Sequence, residues 1–178
     1  MIITEEECRK DAVLRVAETM LIAAKTAPKG KGVDNIVSAI LTGEDVDRVA
    51  EKLLAMEAAG DAPAYFARDA KNLYSADALF LIGSRISVMG VAPCGNCGFK
   101  NCAEKNKYPD VPCSFNTGDL GIAVGSAVSI ATDNRVDNRI MYTVGIAVRE
   151  LGIFDDDVKI IYGIPLASAS KNPFFDRK

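Results

Sequence analysis

The stretch from residue 90 to residue 119 constrains the fold of this chain more than any other part of its sequence. It holds four of the five cysteines and three of the seven prolines, together with several glycines and asparagines. Burial of side chains alone would not order an irregular segment of this composition. Because 178 residues make one ordinary domain, we expect a single domain over 1–178 with an irregular cysteine-rich insertion over 90–119.

The four cysteines of the insertion follow the spacing C-x2-C-x4-C-x10-C. Small residues between them let the chain wrap around an ion or cluster while backbone N–H groups point at the sulfurs. This pattern favours an iron–sulfur cluster. A structural zinc ion is the alternative, although zinc ribbons usually carry two C-x2-C pairs and only one is present here. The candidate metal ligands are Cys94, Cys97, Cys102 and Cys113.

Two further uses of cysteine compete with a metal centre. Disulfide bonds are disfavoured in a cytoplasmic chain, where thiols are kept reduced, unless the source is a hyperthermophile. Buried inert thiols would not cluster in a turn-rich insertion. The fifth cysteine, Cys8, lies outside the cluster in the first predicted helix, and we interpret it as a packing or surface residue.

Two residue types are missing from the chain, which contains no histidine and no tryptophan. The lack of histidine excludes Ser-His-Asp and Cys-His nucleophilic catalysis, histidine-ligated zinc and general-base chemistry by histidine. Any reaction that this protein catalyses must therefore depend on other side chains or on cofactors.

The charge pattern limits which kinds of partner the protein can bind and where in the cell it is expected. With 24 acidic and 21 basic side chains the formal net charge is -3, and no stripe of lysine or arginine suggests a nucleic-acid partner. The acidic segment 1–10 does not have the pattern of a secretory signal, and the uncharged run 120–132 is too short to cross a bilayer. We expect a cytoplasmic protein that binds neither membranes nor nucleic acid.

Apolar periodicity and capping residues predict four helices and four strands. In the first helix, Thr4 and Glu7 have the spacing of a capping box, and apolar residues then recur at helical steps. The first predicted helix covers 5–25 and the third covers 64–74. The second begins after the Thr42–Asp45 pair and ends at Gly60. The fourth is capped by Asp137 or Asn138 and ends at Gly152. The predicted strands are 35–41, 78–83, 122–130 and 158–162.

The run 78–83 is apolar on both faces, as is typical of a central strand that helices cover on either side. The order of the elements predicts one layered α+β or α/β domain with a small sheet. Together with an apolar content of 49%, the two-sided strand suggests more apolar surface than one subunit can hide. This favours a homodimer.

A loop rich in glycine and lysine follows the first predicted helix, at 25–32. Glycine lets the backbone approach an anion closely, and lysine supplies point charges that hold phosphate. The loop lacks the order of a Walker motif, and a solvated basic turn at the helix C-terminus is the alternative. The candidate cofactor-binding residues in the loop are Lys29, Gly30, Lys31 and Gly32.

The C-terminal segment supplies two more candidate residues. Gly163 begins a Gly-Ile-Pro sequence at the end of the last predicted strand, and Lys171 opens the run Lys-Asn-Pro-Phe-Phe-Asp-Arg. Such a segment can bring Lys171 to a phosphate and leave the aromatic residues to pack on a partner subunit. An ordinary frayed, charged C-terminus is the alternative.

The whole layout resembles a known fold family, the FMN-dependent nitroreductases. The resemblance lies in the Ala-Ala-Lys-Thr-Ala-Pro sequence at 23–28, the helix that ends in Val-Arg-Glu-Leu-Gly-Ile at 148–153, and Gly-Ile-Pro at 163–165. The loop 27–34, the cysteine insertion and the tail 171–176 are similar to a prokaryotic family described as containing a ferredoxin domain. The segment 93–102 also resembles four-iron cluster modules, which read C-G-x-C-G-x-x-x-C before a fourth cysteine.

These resemblances imply a fold and a cofactor set. The fold would be an α+β, nitroreductase-like layered domain, in which helices flank a small central sheet and the irregular insertion projects from it. The cofactors would be a 4Fe-4S cluster and FMN. The resemblance puts 29–32 near the flavin ring or its phosphate and Lys171 near the phosphate, in a groove that two subunits share.

Two functions fit these features. The first is a redox protein, either an FMN-dependent oxidoreductase or an electron-transfer protein, that passes electrons from a four-cysteine cluster to a redox partner or a small acceptor. The alternative is a non-enzymatic dimeric binding protein whose four thiolates hold structural zinc and order a binding loop.

Overall fold

A computed structural model describes residues 1–175 of the chain. In that range the chain forms six α-helices, four strands and one short 3₁₀ turn at Gly30–Gly32. The helices are α1 (Glu5–Thr26), α2 (Glu44–Ala58), α3 (Tyr65–Leu73), α4 (Cys102–Lys105), α5 (Ser114–Asp133) and α6 (Tyr142–Glu150). The strands are β1 (Ile36–Leu41), β2 (Ala78–Arg85), β3 (Asp137–Asn138) and β4 (Val158–Ala167).

The four strands form one antiparallel sheet in the order β1-β2-β4-β3. Strand β2 lies inside the sheet, where Leu81 stands opposite Ala39 on one side and Gly163 on the other. All residues of β2 except the last are buried, because helices cover both faces of this strand. The expectation of a central, two-sided strand over 78–83 is confirmed, and so is the α+β class.

Alternate side chains of β2 point into two separate apolar layers. Phe80 and Ile82 pack with residues of α1 and α5 on one face of the sheet. Leu79 and Leu81 pack with residues of α2, α3 and α6 on the other face. Burial of each of these large side chains contributes roughly 1.5–3 kcal/mol to folding, so the continuous apolar run of β2 determines the three-layer arrangement.

Helix α1 begins where the sequence predicts. The Thr4 hydroxyl accepts the Glu7 N–H, and the Glu7 carboxylate accepts hydrogen bonds from the N–H and hydroxyl of Thr4. The hydrogen bonds from Thr4 lower the pKa of Glu7. The buried stripe of the helix consists of Val13, Ala17, Met20 and Ala24.

The predicted strand over 122–130 is wrong, because these residues lie inside the 20-residue helix α5. The uniform apolar character of this segment hides a helical pattern of burial. Its buried positions recur at steps of three and four, as one face of a helix requires. They are Asn116, Asp119, Leu120, Ala123, Val124, Ala127 and Ala131.

Two predicted helix caps are also wrong. Asp137 and Asn138 do not cap α6; they form β3, because their backbone pairs with Ala167 and Leu166 at the end of β4. Helix α2 begins after Gly43, which has a φ of 54° and provides no capping side chain. The predicted Thr42–Asp45 cap is therefore replaced by a glycine turn.

The segment between β2 and α5 contains only the four-residue helix α4 as regular structure. The irregular stretch therefore runs over 86–113, and residues 114–119 of the predicted insertion belong to α5. Among the described residues, none of the helices is both long and apolar enough to cross a bilayer.

Candidate metal centre

The irregular segment and the start of α5 enclose a narrow pocket. All four candidate cysteine ligands line this one pocket. The other lining residues are Val88, Met89, Val91, Gly95, Phe99, Asn101, Lys105 and Phe115. The chain thus brings to one pocket four thiols that are spread over 20 positions of the sequence, from Cys94 to Cys113.

Local turns bring the first two cysteines to the pocket. Gly95 and Gly98 have φ values of 104° and 85°, a region that residues with a Cβ rarely adopt. The Gly98 N–H donates to the Gly95 carbonyl at 2.9 Å. This tight turn explains why glycine follows each of Cys94 and Cys97 in the sequence.

The third and fourth cysteines lie at the starts of helices. Cys102 is the first residue of α4, whose N-cap is Asn101; the Asn101 side-chain oxygen accepts the Glu104 N–H at 2.9 Å. Cys113 is the buried N-cap of the 20-residue helix α5. The N-terminus of a long helix stabilises a bound anionic group nearby.

One polar atom beside Cys113 lacks a partner. The Asn116 side-chain oxygen accepts two backbone N–H groups, from Ser87 at 3.0 Å and from Cys113 at 3.3 Å, which fixes the orientation of the amide. The Nδ2 group of Asn116 is buried and makes no hydrogen bond in the part of the chain that the structure describes. An orphaned donor next to a cysteine fits a site whose missing acceptor is a bound anionic group.

All five cysteines of the chain are free thiols. Within residues 1–175, no group of three or more histidine, cysteine, aspartate or glutamate side chains converges closely enough to hold a single metal ion. The four cysteines instead stand around a shared pocket. Their role as ligands stays a prediction.

A second, open groove of about 570 Å³ lies beside the cysteine pocket. Phe115 lines both the groove and the pocket. Gly30 also borders the groove, and a Cβ on this glycine would stand 2.9 Å from the Phe115 ring. The other lining residues are Asn96, Ser114, Gly118, Asp119 and Ile122.

Contacts within the chain already occupy the ammonium group of Lys29. Its side chain is only 5% exposed. It donates hydrogen bonds to the carbonyls of Ala24, Lys25 and Ala27, at 2.9, 2.7 and 2.9 Å. Lys29 therefore caps the C-terminus of α1, where a cation is favoured, and its predicted flavin contact would require these bonds to break.

The rest of the loop is held against the insertion and α5. The Gly30 N–H donates to both carboxylate oxygens of Asp119 at 3.0 Å, and the Lys31 ammonium donates to the Met89 carbonyl at 3.2 Å. Gly32 has a φ of 69°, which explains the need for glycine there. The predicted flavin loop thus lies against the wall of the cysteine pocket.

The two C-terminal candidates do not join this groove in a single chain. Gly163 is buried in β4, and a Cβ there would stand 2.1 Å from a methyl group of Val144, so the glycine admits helix α6 onto the sheet. Lys171 is exposed beyond β4, where residues 168–170 border a different groove next to the first turn of α1. Asp176 and Arg177 of the tail motif lie outside the described residues. The flavin contacts of all six candidates stay predictions.

The sequence did not single out several residues of this region. Lys105 and Phe115 line the pocket, and the Asn116 side chain accepts the Ser87 N–H, only because the chain folds back on itself. For Asn116 a signal existed, since its spacing from Cys113 is that of a helix cap and its third residue. Asn116 falls inside the predicted irregular insertion over 90–119, so no helix was expected to begin there.

The fold matches solved nitroreductases at low sequence identity. The nitroreductase CinD from Lactococcus lactis, solved in complex with nicotinic acid, is 16% identical, with a TM-score of 0.62 over 99% of this chain and 84% of that one. A nitroreductase with bound FMN from Desulfitobacterium hafniense is 15% identical, with a TM-score of 0.59 over 96% and 81%. These similarities establish the nitroreductase-like fold.

A protein from Archaeoglobus fulgidus is 37% identical over 184 residues, a match that covers 99% of this chain and 98% of the relative, itself described as an uncharacterized protein. In addition, residues 109–177 match a family profile described as "uncharacterized protein containing a ferredoxin domain". The two matches confirm the resemblance seen in the sequence. The chain belongs to this family of proteins containing a ferredoxin domain.

Proposed function

We propose that this protein is an iron–sulfur redox protein in which Cys94, Cys97, Cys102 and Cys113 hold one cluster of the 4Fe-4S type. The observation that carries the proposal is that these four cysteines line one pocket. Four cysteine thiolates are the usual ligand set of such clusters. The ferredoxin-domain family of the chain supports a redox role.

The surroundings of the cysteines fit an anionic cluster. The N-terminus of α5 supports negative charge at Cys113, and the unpaired Nδ2 group of Asn116 is a donor that lies beside the same cysteine. Hydrogen bonds to the sulfurs are one of the levers that set the reduction potential of a cluster. When bound, the cluster would supply one-electron transfer, which needs no histidine.

The apolar lining of the pocket has a separate task. Met89 is 5% exposed, and Phe99 stacks on Tyr108 with ring centroids 5.2 Å apart. These side chains and Phe115 restrict the access of water to Cys113, which is buried, whereas Cys97 and Cys102 are half-buried and Cys94 is exposed. Solvent exposure is a second determinant of the reduction potential, so the exposure of Cys94 and the shielding of Cys113 would both influence the potential of a bound cluster.

We extend the proposal to FMN in the adjoining groove. Two observations support it: Phe115 borders both the groove and the cysteine pocket, and the fold is that of nitroreductases, one of which was solved with bound FMN. Electrons could then pass between the two cofactors across one aromatic ring. A redox partner or a small acceptor would receive them.

The groove of a single chain lacks a charge that FMN needs. Among the described residues that line it, none is lysine or arginine, whereas a bound phosphate requires cationic donors. Lys171 is exposed and does not line this groove. We therefore propose a homodimer in which a second copy closes the groove and supplies the cation, with Lys171 as the candidate.

The exposed face of α5 supports such a dimer. A Cβ on Gly118, Gly121 or Gly125 would meet nothing within 4 Å, and Ile122 on the same helix is 49% exposed. Glycine on a helix surface lets another backbone approach closely. This face borders the groove, so a second copy packed here would also cover a flavin.

Anaerobic purification with iron, sulfide and zinc analysis tests the cluster. We expect a brown protein with about four irons and four sulfides per chain. The Cys97→Ser variant should lose both, whereas Cys8→Ser is the matched control, because Cys8 is exposed and lies outside the pocket. A colourless wild-type protein that holds one zinc ion would instead support the structural alternative and contradict the redox proposal.

A flavin titration tests the second cofactor. Binding of FMN can be followed by quenching of its fluorescence, with Lys171→Ala compared with Lys107→Ala, an exposed lysine of the irregular segment. We expect weaker binding only for the Lys171 variant. Equal affinity in the two variants would contradict the assignment of Lys171 to the phosphate.

A further inference from the structure

The cysteine pocket is also lined by a lysine, Lys105. Lys105 is 2% exposed, which makes it one of the most buried charged side chains of residues 1–175. It is the last residue of α4 and lines the same pocket as the four cysteines. Lysine is almost never buried to this degree unless it is paired.

Within residues 1–175, Lys105 takes part in none of the ion pairs, and its hydrogen bonds are those of its backbone. Its ammonium group is not one of the fully enclosed nitrogens that lack a hydrogen bond, which are Asn72 Nδ2 and Asn116 Nδ2. Lys29 shows how this chain otherwise satisfies a buried lysine, with three carbonyl acceptors. Burial of a lysine carries a desolvation cost, which an anionic group bound in the same pocket would offset.

The position of Lys105 relative to the cysteines identifies that group. Lys105 follows Cys102 by three residues in α4, and residues at this spacing share one face of a helix. Both residues line the pocket, so the shared face is the one that borders it. Four thiolates around one centre would put a net negative charge in the pocket that Lys105 lines.

We infer that Lys105 is the buried counter-ion of the cysteine-ligated cluster and that it raises the reduction potential of that cluster. Reduction adds one electron to the iron atoms and makes the centre more negative. A fixed positive charge beside the cluster stabilises the reduced state more than the oxidised state. The inference rests on the proposed function, since it presumes that the pocket holds an iron–sulfur cluster.

An anaerobic redox titration with dithionite as the reductant tests the inference. Lys105→Met removes the charge and keeps most of the length of the side chain, and Lys105→Arg keeps the charge. Lys107→Met is the matched control, because it removes an exposed charge two residues away. We expect a more negative midpoint potential for Lys105→Met, with values near the wild type for the other two. An unchanged potential in a fully loaded Lys105→Met protein would overturn the inference.

A second measurement covers the case in which Lys105→Met fails to load. The apo form of this variant should unfold at the same temperature as apo wild type or higher, because the desolvation cost of burying a lysine is gone. If apo Lys105→Met is folded but empty while Lys105→Arg loads, the charge is needed to bind the cluster, which supports the inference. A less stable apo Lys105→Met, or an empty but folded Lys105→Arg, would show that the side chain acts through its shape and would overturn it.

The two proposals fail in distinguishable ways. A wild-type protein that takes up no iron and sulfide on anaerobic reconstitution contradicts the proposed function, and the role of Lys105 with it. A wild-type protein that holds the cluster, combined with an unshifted Lys105→Met, contradicts the role of Lys105 alone.

Discussion

The side-chain oxygen of Asn116 accepts the backbone N–H of Cys113 at 3.3 Å, across the first turn of α5. The same oxygen accepts the N–H of Ser87 at 3.0 Å. One buried amide therefore ties the start of α5 to the residues that follow β2. Since Cys113 is the only candidate ligand outside the range 94–102, this bond connects the fourth ligand to the sheet.

Replacing Asn116 by leucine should destabilise the protein. Two backbone N–H groups would lose their acceptor, and each buried group left unpaired costs about 1–3 kcal/mol. We expect a loss of about 2–5 kcal/mol in the free energy of unfolding, measured by urea denaturation of the apo protein. Asn106→Leu, at an exposed position of the irregular segment, should change the stability by less than about 0.5 kcal/mol. Similar stability of the two variants would contradict the role of Asn116.

Lys29→Met should act on stability as well. Its ammonium donates to three carbonyls at the end of α1, and hydrogen bonds to a charged group are worth about 1.5–3 kcal/mol. We expect at least this loss in urea denaturation. Lys25→Met is the control, because Lys25 is 72% exposed and pairs with Asp34 at the surface, where ion pairs contribute about 1 kcal/mol or less. A Lys29→Met protein of wild-type stability that binds FMN poorly would instead favour the flavin assignment.

The sequence predicted those parts of the fold that depend on local patterns. The capping box at Thr4 and the two-sided run 78–83 each carry a signal within a few residues, and the structure confirms both. The pattern failed over 122–130, where almost every residue is small or apolar, so a helix and a strand look alike. Its length argued for a helix, since strands are usually 4–8 residues long.

In the candidate site, too, the residues with a local sequence pattern were predicted and the others were not. The cysteine spacing is local and identified residues that the structure brings to one pocket. By contrast, Lys105 is one lysine among several in its segment, and only the fold shows that it is buried. Lys29 was predicted to meet an anion because lysine and glycine alternate there. The sequence could not show that the ammonium group of Lys29 donates hydrogen bonds to the carbonyls at the end of α1.

Gly163→Ala tests whether the lack of a side chain at this position lets helix α6 pack on the sheet. The added Cβ would stand 2.1 Å from a methyl group of Val144, which no rotation of a valine side chain fully relieves. We expect a loss of about 1–3 kcal/mol in stability, as is typical of overpacked cores. Val144→Ala is not expected to rescue the variant, because the Cβ of residue 144 would still stand 2.5 Å from the added group. A Gly163→Ala protein of wild-type stability in urea denaturation would show that the close approach of these two residues is not required.

Stability should depend on pH through Asp34. Partial burial alone would raise the pKa of its carboxyl, but the hydrogen bonds from Lys25 and from the Ile36 N–H lower it below its ordinary value. A lowered pKa adds stability that is complete above the unfolded value of about 3.9 and is lost as the pH falls through the folded value. The advantage of wild type over Asp34→Asn in urea denaturation should therefore be constant above about pH 5 and shrink below pH 4. An advantage that grows with acid would contradict this assignment.

The exposed face of α5 that carries Gly118, Gly121 and Gly125 allows a direct test of the proposed dimer. In an isolated chain, Gly121 faces open space, so Gly121→Ala should stabilise the helix by about 1 kcal/mol. If a second copy packs there, Gly121→Leu should prevent close approach and convert the protein to a monomer, as measured by sedimentation equilibrium. Glu51→Leu, at an exposed position of α2, is the control and should stay dimeric. A dimer that survives in Gly121→Leu would move the interface elsewhere, and FMN binding by a monomeric Gly121→Leu would show that one chain completes the flavin site by itself.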